Sequence, residues 1–173
     1  LAPGEEMIYA VEYLNIHTGQ VRITVGHPEG AIWTVICQAK TDGIASLVKI
    51  QEHYVSYWDD VKGGARGSDL NAFEMGDRHY DVFRYDRDAG KATVQITRKG
   101  VKREKVVDIP NDVQDIGSVF VYLRQKPLNV GDHVEVPIFT GHQVFTMLAD
   151  VIGKEVLETK AGTFPTVKVR VTT

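Results

Sequence analysis

The chain has 173 residues, of which 43% are hydrophobic and 25% are charged, and its formal net charge is −3. A domain of this size buries roughly 70% of its unfolded surface, so it needs neither disulfides nor a structural metal to fold. The slightly negative charge excludes the basic composition that is typical of nucleic-acid-binding proteins. No segment approaches the roughly 20 apolar residues of a membrane-spanning helix.

Strand patterns dominate the first half of the chain. Segments 5–16 and 20–26 flank the turn residues 17–19 and predict a hairpin. A third strand is expected at 31–40 and a fourth at 52–60, both rich in β-branched and aromatic residues. Further strands, separated by glycine-containing turns, are predicted at 72–77, 79–86, 91–98 and 101–109.

Two segments between these strands have other predicted structures. Residues 43–50 predict a short helix, because Ile44, Leu47 and Val48 lie on one side of it. Segment 61–69 contains three glycines within five residues and predicts a mobile loop.

Residues 112–126 predict a second helix. Apolar side chains recur at helical spacing from Val113 to Leu123, and the Asn-Asp pair at 111–112 can cap the first turn. Pro127 ends the helix, because the residue before a proline is disfavoured in the α region. Three strands follow, at 133–140, 143–153 and 163–173, and residues 154–159 can extend the second of them.

Several predicted strands are apolar on both faces. In segment 143–152, Met147 and Val151 lie on one face, whereas Leu148 and Ile152 lie on the other. A sheet with one face in water shows a clean alternation instead. We therefore expect cover on both faces, either by a second sheet or around an apolar cavity.

These patterns together predict a mainly β fold. We expect a curved antiparallel sheet or half-barrel of about 9–11 strands. The short helices at 43–50 and 112–126 are expected to pack on its concave face, within a single domain spanning residues 1–173.

The second half of the chain resembles a known family. Its pattern is an aspartate-containing helix that ends in Tyr-Leu-Arg, then Pro-Leu, then Gly-Asp before a strand, and later Glu-Val, Gly-Thr-Phe and Lys-Val. The matching residues are Asp115, Tyr122-Leu123-Arg124, Pro127-Leu128, Gly131-Asp132, Glu155-Val156, Gly162-Thr163-Phe164 and Lys168-Val169. In these residues the chain resembles the DUF3108 family of uncharacterised bacterial proteins, most of them secreted or periplasmic.

The resemblance implies an architecture and a location. The family is similar to lipoprotein-carrier proteins of the LolA/LolB type, which are half-barrels closed by helices over an apolar cavity. It implies a periplasmic or otherwise exported protein, and a start at Leu1-Ala2-Pro3-Gly4 fits a mature form whose signal peptide has been removed. It also implies further strands after Lys168-Val169, so we expect a C-terminally truncated chain with an open sheet edge that can pair in a dimer.

Two groups of residues are candidate binding elements. The first would line an apolar cavity for a lipid, an acyl chain or another hydrophobic ligand, and comprises Trp33, Trp58, Val119, Phe120, Leu123, Phe145 and Met147. The second is a basic patch around a hairpin tip that can contact anionic lipid headgroups at a membrane surface, and comprises Arg98, Lys99, Lys102, Arg103 and Lys105.

The sequence favours binding over catalysis. No nucleophile elbow or phosphate-binding loop is present, and neither a metal site nor a cofactor is predicted. The residues that an enzyme would use are His79, Asp81 and Arg84. We therefore expect a non-catalytic envelope protein with a hydrophobic ligand. The alternative hypothesis is a structural module that binds an envelope protein partner through an exposed sheet edge.

Overall fold

A computed structural model describes residues 2–173, except for the side chains of residues 44 and 46. The described chain forms eleven strands in two antiparallel sheets that do not close into a barrel. The mainly β prediction and its number of strands are confirmed, although the strands divide between two sheets. No helix in the described part is both long and apolar enough to cross a membrane.

The larger sheet is an eight-stranded meander in which each strand pairs with the next one along the chain. Its strands are β1 (Glu6–Tyr13), β2 (Ile16–Val25), β3 (Ile32–Thr41), β4 (Ile50–Asp59), β5 (Gly64–Glu74), β6 (Asp77–Asp86), β7 (Lys91–Arg98) and β8 (Val101–Asp108). The first turn lies at Leu14 and Asn15 rather than at 17–19, because both residues adopt positive φ, as the tightest hairpin turns require.

Segment 61–69, predicted as a mobile loop, is largely part of β5. Gly67 has a φ of 141°, and a Cβ on it would lie 2.1 Å from the carbonyl oxygen of Phe83 in β6. This glycine therefore permits a close approach of two backbones beside the β-bulge between β4 and β5. Its role is packing within a strand.

The smaller sheet has the order β11–β10–β9. Its strands are β9 (His133–Phe139), β10 (Val144–Thr159) and β11 (Gly162–Thr172). Residues 154–159 extend β10 as predicted. Gln114 covers the free edge of β9: its N–H donates to the carbonyl of Pro137 and its carbonyl accepts from the N–H of Phe139.

The helix α1 spans Ser118–Arg124, and therefore begins six residues later than predicted. Gln114, within the predicted first turns, pairs with β9 instead. The predicted helix at 43–50 is a 3₁₀ helix over Gly43–Leu47, and Leu47 is 90% exposed, so this segment does not pack on the sheet through that side chain.

The core lies between the two sheets and α1. We call the face of the larger sheet that carries Val35 and Trp58 its inner face; Val121 of α1 packs on it there. Beside the helix, Phe139 of β9 makes edge-to-face contacts with Phe83 and Tyr85 of the same inner face. The predicted packing of the second helix against the sheet is thus confirmed.

One of the strands that are apolar on both faces, β1, remains uncovered on both. In β1, outward-facing Ile8 is 53% exposed, and Tyr9 on the inner face is 50% exposed. The expectation that both faces of every such strand are buried is therefore wrong for β1, which lies at the edge of the larger sheet.

Candidate ligand groove

A groove of about 660 Å³ lies on the inner face at β7 and β8. A volume of this size falls within the range of about 300–1,000 Å³ that is typical of small-molecule sites. The residues that line it are Val94, Ile96, Arg98, Lys99, Val101, Arg103, Glu104 and Lys105.

The pairing of β7 with β8 sets the chemistry of this groove. Val94 lies opposite Lys105, Ile96 lies opposite Arg103, and Arg98 lies opposite Val101. Because directly opposite residues in an antiparallel pair share a face, apolar side chains from β7 stand beside basic side chains from the edge strand. The result is an apolar floor with a basic rim.

The basic residues of the rim differ in their partners. Arg98 binds both carboxylate oxygens of the buried Asp81, and this hydrogen bonding raises the pKa of Arg98. Lys99 lies 3.6 Å from the carboxylate of Asp77. Among the described residues, no acidic side chain forms a salt bridge with Arg103 or Lys105.

Four of the five predicted basic residues therefore line one groove, and the fifth, Lys102, lies on the opposite face of β8, across from Thr97. Ala92 and Val94 of β7 are buried on the inner face. The sequence did not identify the groove itself, because the partner strand and the register of β7 are long-range properties.

The predicted cavity-lining residues lie elsewhere, in packed clusters around α1. Trp58 is completely buried against Val35 and Val121, and Trp33 packs at the edge of the same cluster. Phe120 contacts the guanidinium of Arg124, 5.1 Å from its ring centroid. The other four predicted lining residues pack in the hydrophobic cluster on the smaller sheet: Val119, Leu123, Phe145 and Met147.

A comparison with models of known protein families shows to which family this chain belongs. The model of a family described as a protein of unknown function, DUF3108, matches residues 8–173, nearly the whole chain. The chain belongs to the DUF3108 family. The resemblance seen in the sequence is therefore confirmed. No curated protein and no solved structure matches it.

In this DUF3108 protein, the aspartate of the family pattern has a clear structural position. Asp115 is completely buried, and its Oδ1 accepts hydrogen bonds from the backbone N–H groups of Gly117 and Ser118 at 2.9 and 2.8 Å. It thus caps α1, a role that the sequence predicts for residues 111–112. Gly117 lets this turn approach the sheet, because a Cβ there would lie 2.6 Å from the Cβ of Ser56.

The candidate catalytic residues of the DUF3108 protein do not form one site. His79 and Asp81 share the inner face, but Asp81 is held by Arg98. Arg84 lies on the opposite face, where it binds Asp69. The described residues contain no group of three or more His, Cys, Asp or Glu side chains placed to hold a metal ion.

Two further titratable side chains, which lie on the inner face outside the groove, have raised pKa values. Burial and a hydrogen bond with Glu74 raise the pKa of Glu52, a half-buried side chain on the inner face. Burial, and to a lesser extent the charge of Asp115, raises the pKa of the Cys37 thiol to about 11. Cys37 is half-buried and packs against the cluster of Val35 and Trp58.

Proposed function

We propose that this protein is a non-catalytic component of the bacterial cell envelope that holds a lipid, an acyl chain or another hydrophobic ligand in the groove over β7 and β8. The observation that carries the proposal is the apolar floor of Val94, Ile96 and Val101 in an open groove of about 660 Å³. Apolar linings with a few polar groups are typical of binding sites for small molecules.

The groove replaces the cavity expected beneath the helix as the proposed binding site. The side chains between α1 and the inner face pack closely on one another, and Val35, Trp58 and Val121 are completely buried there. The groove instead retains accessible apolar surface, since Val101 at its mouth is 58% exposed. A ligand bound there would cover this surface without unfolding the core.

The resemblance to mostly exported proteins supports an envelope location. The basic rim supports a peripheral contact with an anionic membrane, because each lysine or arginine near such a surface contributes about 1 kcal/mol. Fractionation of cells that express the complete gene tests the location directly. Recovery of the protein only from the cytosol would contradict it.

Substitutions of two valines on β8 test whether the ligand binds in the groove. Val101→Glu places a charge on the groove face, whereas Val106→Glu places the same charge on the opposite face of the same strand. Both valines are more than half exposed, so neither change disturbs the core. We expect Val101→Glu to weaken binding of a fluorescent fatty acid at least about tenfold, the cost of burying a charge beside an acyl chain.

Val106→Glu should bind the probe like the natural protein, since it lies outside the groove. The measurement is a fluorescence titration, with circular dichroism of both variants to check their fold. Equal affinities of the two variants would place the ligand elsewhere, and the absence of probe binding to the natural protein would overturn the proposal.

One observation favours a second candidate function, an interaction module acting through β1. Residues 7–11 of this edge strand contain neither a charged residue nor a proline, and they are largely exposed. The other free edges are protected: β8 carries three basic residues, β11 carries Pro165 and two basic residues, and Gln114 covers β9. Unprotected edge strands readily pair with another chain.

A lysine substitution on β1 tests whether this strand pairs with another chain. Ile8→Lys adds the kind of charge that protects the other edges, while Val156→Lys adds one at an exposed position of β10, which pairs with β11 there. We expect the mass of the natural protein and of Val156→Lys, measured by light scattering, to rise with concentration. Ile8→Lys should stay monomeric. A natural protein that stays monomeric at all concentrations and retains no envelope protein would contradict the hypothesis.

A further inference from the structure

The groove rim contains two basic side chains that no carboxylate of a described residue neutralises. Arg98 and Lys99 are paired with Asp81 and Asp77, so their charges are compensated within the protein. Arg103 and Lys105 form no salt bridge with any described residue, and both are exposed. Their charge is therefore available to a ligand.

The register places these two basic side chains next to the apolar floor. Arg103 faces Ile96 and Lys105 faces Val94 across the strand pair, at a typical Cβ separation of about 5 Å. Along β8 the two residues are two positions apart, which corresponds to about 7 Å. One carboxylate or phosphate between them can contact both.

The rest of the groove disfavours a second charged group on the ligand. Val94 is almost completely buried, and the side chain of Val101 extends the apolar surface towards the hairpin turn. The acidic group in the lining, Glu104, accepts a hydrogen bond from Gln95 on the opposite face of the strands. A bound molecule thus meets the unpaired basic side chains of β8 on one side and the apolar side chains of Ile96 and Val101 beside them.

We propose that the groove selects an anionic single-chain lipid, whose headgroup lies between Arg103 and Lys105 and whose hydrocarbon chain lies over Ile96 and Val101. This selectivity rests on the proposed binding function. Charge-assisted hydrogen bonds are roughly twice as strong as neutral ones, and arginine can contact a carboxylate through two of them. Hydrogen bonds from these side chains are therefore the source of preference for an anion over a neutral lipid of equal length.

The test compares two probes of equal chain length, dodecanoate and 1-dodecanol, in a displacement assay against a fluorescent fatty acid. We expect the natural protein to bind dodecanoate at least about tenfold more tightly than the alcohol, the difference of one charge-assisted contact. The double variant Arg103→Gln/Lys105→Gln should lose this preference and keep its affinity for the alcohol. Lys102→Gln, on the opposite face, is the matched control and should retain the preference.

The outcomes separate the selectivity from the binding function. The headgroup selectivity would be overturned if the two probes bound equally well and the double variant bound them like the natural protein. If Val101→Glu still weakened their binding, the groove would remain a lipid site. Failure of both probes to bind would overturn both proposals. The substituted side chains are exposed, and urea denaturation of each variant confirms that the fold is retained.

Discussion

Asp115→Ala is expected to destabilise the protein by about 3 kcal/mol, because it removes a buried acceptor from two backbone N–H groups. In the native structure these N–H groups, of Gly117 and Ser118, have Asp115 Oδ1 as their side-chain partner. The alanine variant leaves both buried without this acceptor at the start of α1. Urea denaturation, followed by circular dichroism, measures the change in the free energy of unfolding.

Asp115→Asn is the matched control for this change. Its amide oxygen can accept the same two hydrogen bonds, so we expect it to lose no more than about 1 kcal/mol. If both variants were equally destabilised, the carboxylate charge would be the decisive property. If neither were destabilised, the capping role of Asp115 would be wrong.

The stability of the natural protein and that of Asp115→Asn should also depend differently on pH. Burial raises the pKa of Asp115 above its ordinary value of 3.8. The folded state therefore holds this proton more tightly than the unfolded state, and the contribution of Asp115 to stability falls as pH rises from 3.8 through the higher folded pKa. We expect the stability difference between the natural protein and Asp115→Asn to shift in this window, in favour of the natural protein at the acidic end, and to be constant at higher pH.

Trp58→Ala is expected to have a comparable or larger effect, about 4 kcal/mol, because truncation of a buried aromatic side chain leaves a cavity. Trp58 is completely buried between the inner face and Val121 of α1. Its loss should also loosen the helix, since Val121 then has only Val35 as a completely buried neighbour in this cluster. Thermal and urea denaturation measure the loss of stability.

Trp33→Ala is a useful comparison, since Trp33 lies directly opposite Trp58 on the same face but is only half-buried. We expect Trp33→Ala to lose about half as much stability as Trp58→Ala, because the loss of stability scales with the apolar surface removed from the core. Fatty-acid binding should survive Trp58→Ala at temperatures where the variant is folded. A variant that kept its stability but lost the ligand would show that Trp58 lines the binding cavity, as the sequence predicted.

The candidate site could be predicted from the sequence only in part. The basic residues around the hairpin tip cluster locally, because the turn between β7 and β8 brings neighbouring residues of the chain together. The sequence predicts the apolar lining under the helix, because apolar residues on two faces of a strand do not reveal which face is covered by protein. Trp58 and Met147 belong to that core, whereas Val94 and Ile96 form the floor of the groove.

By itself the sequence determined the class of the fold, the family and most strand boundaries, since these depend on alternation and turn chemistry within a few residues. Tertiary structure alone decided the division into two sheets, the shortening of α1 and the use of Gly67 inside a strand. Each of these depends on contacts between distant segments: Gln114 leaves the helix because β9 offers its backbone hydrogen bonds, and Gly67 is required because the Phe83 carbonyl of the neighbouring strand lies where a Cβ would be.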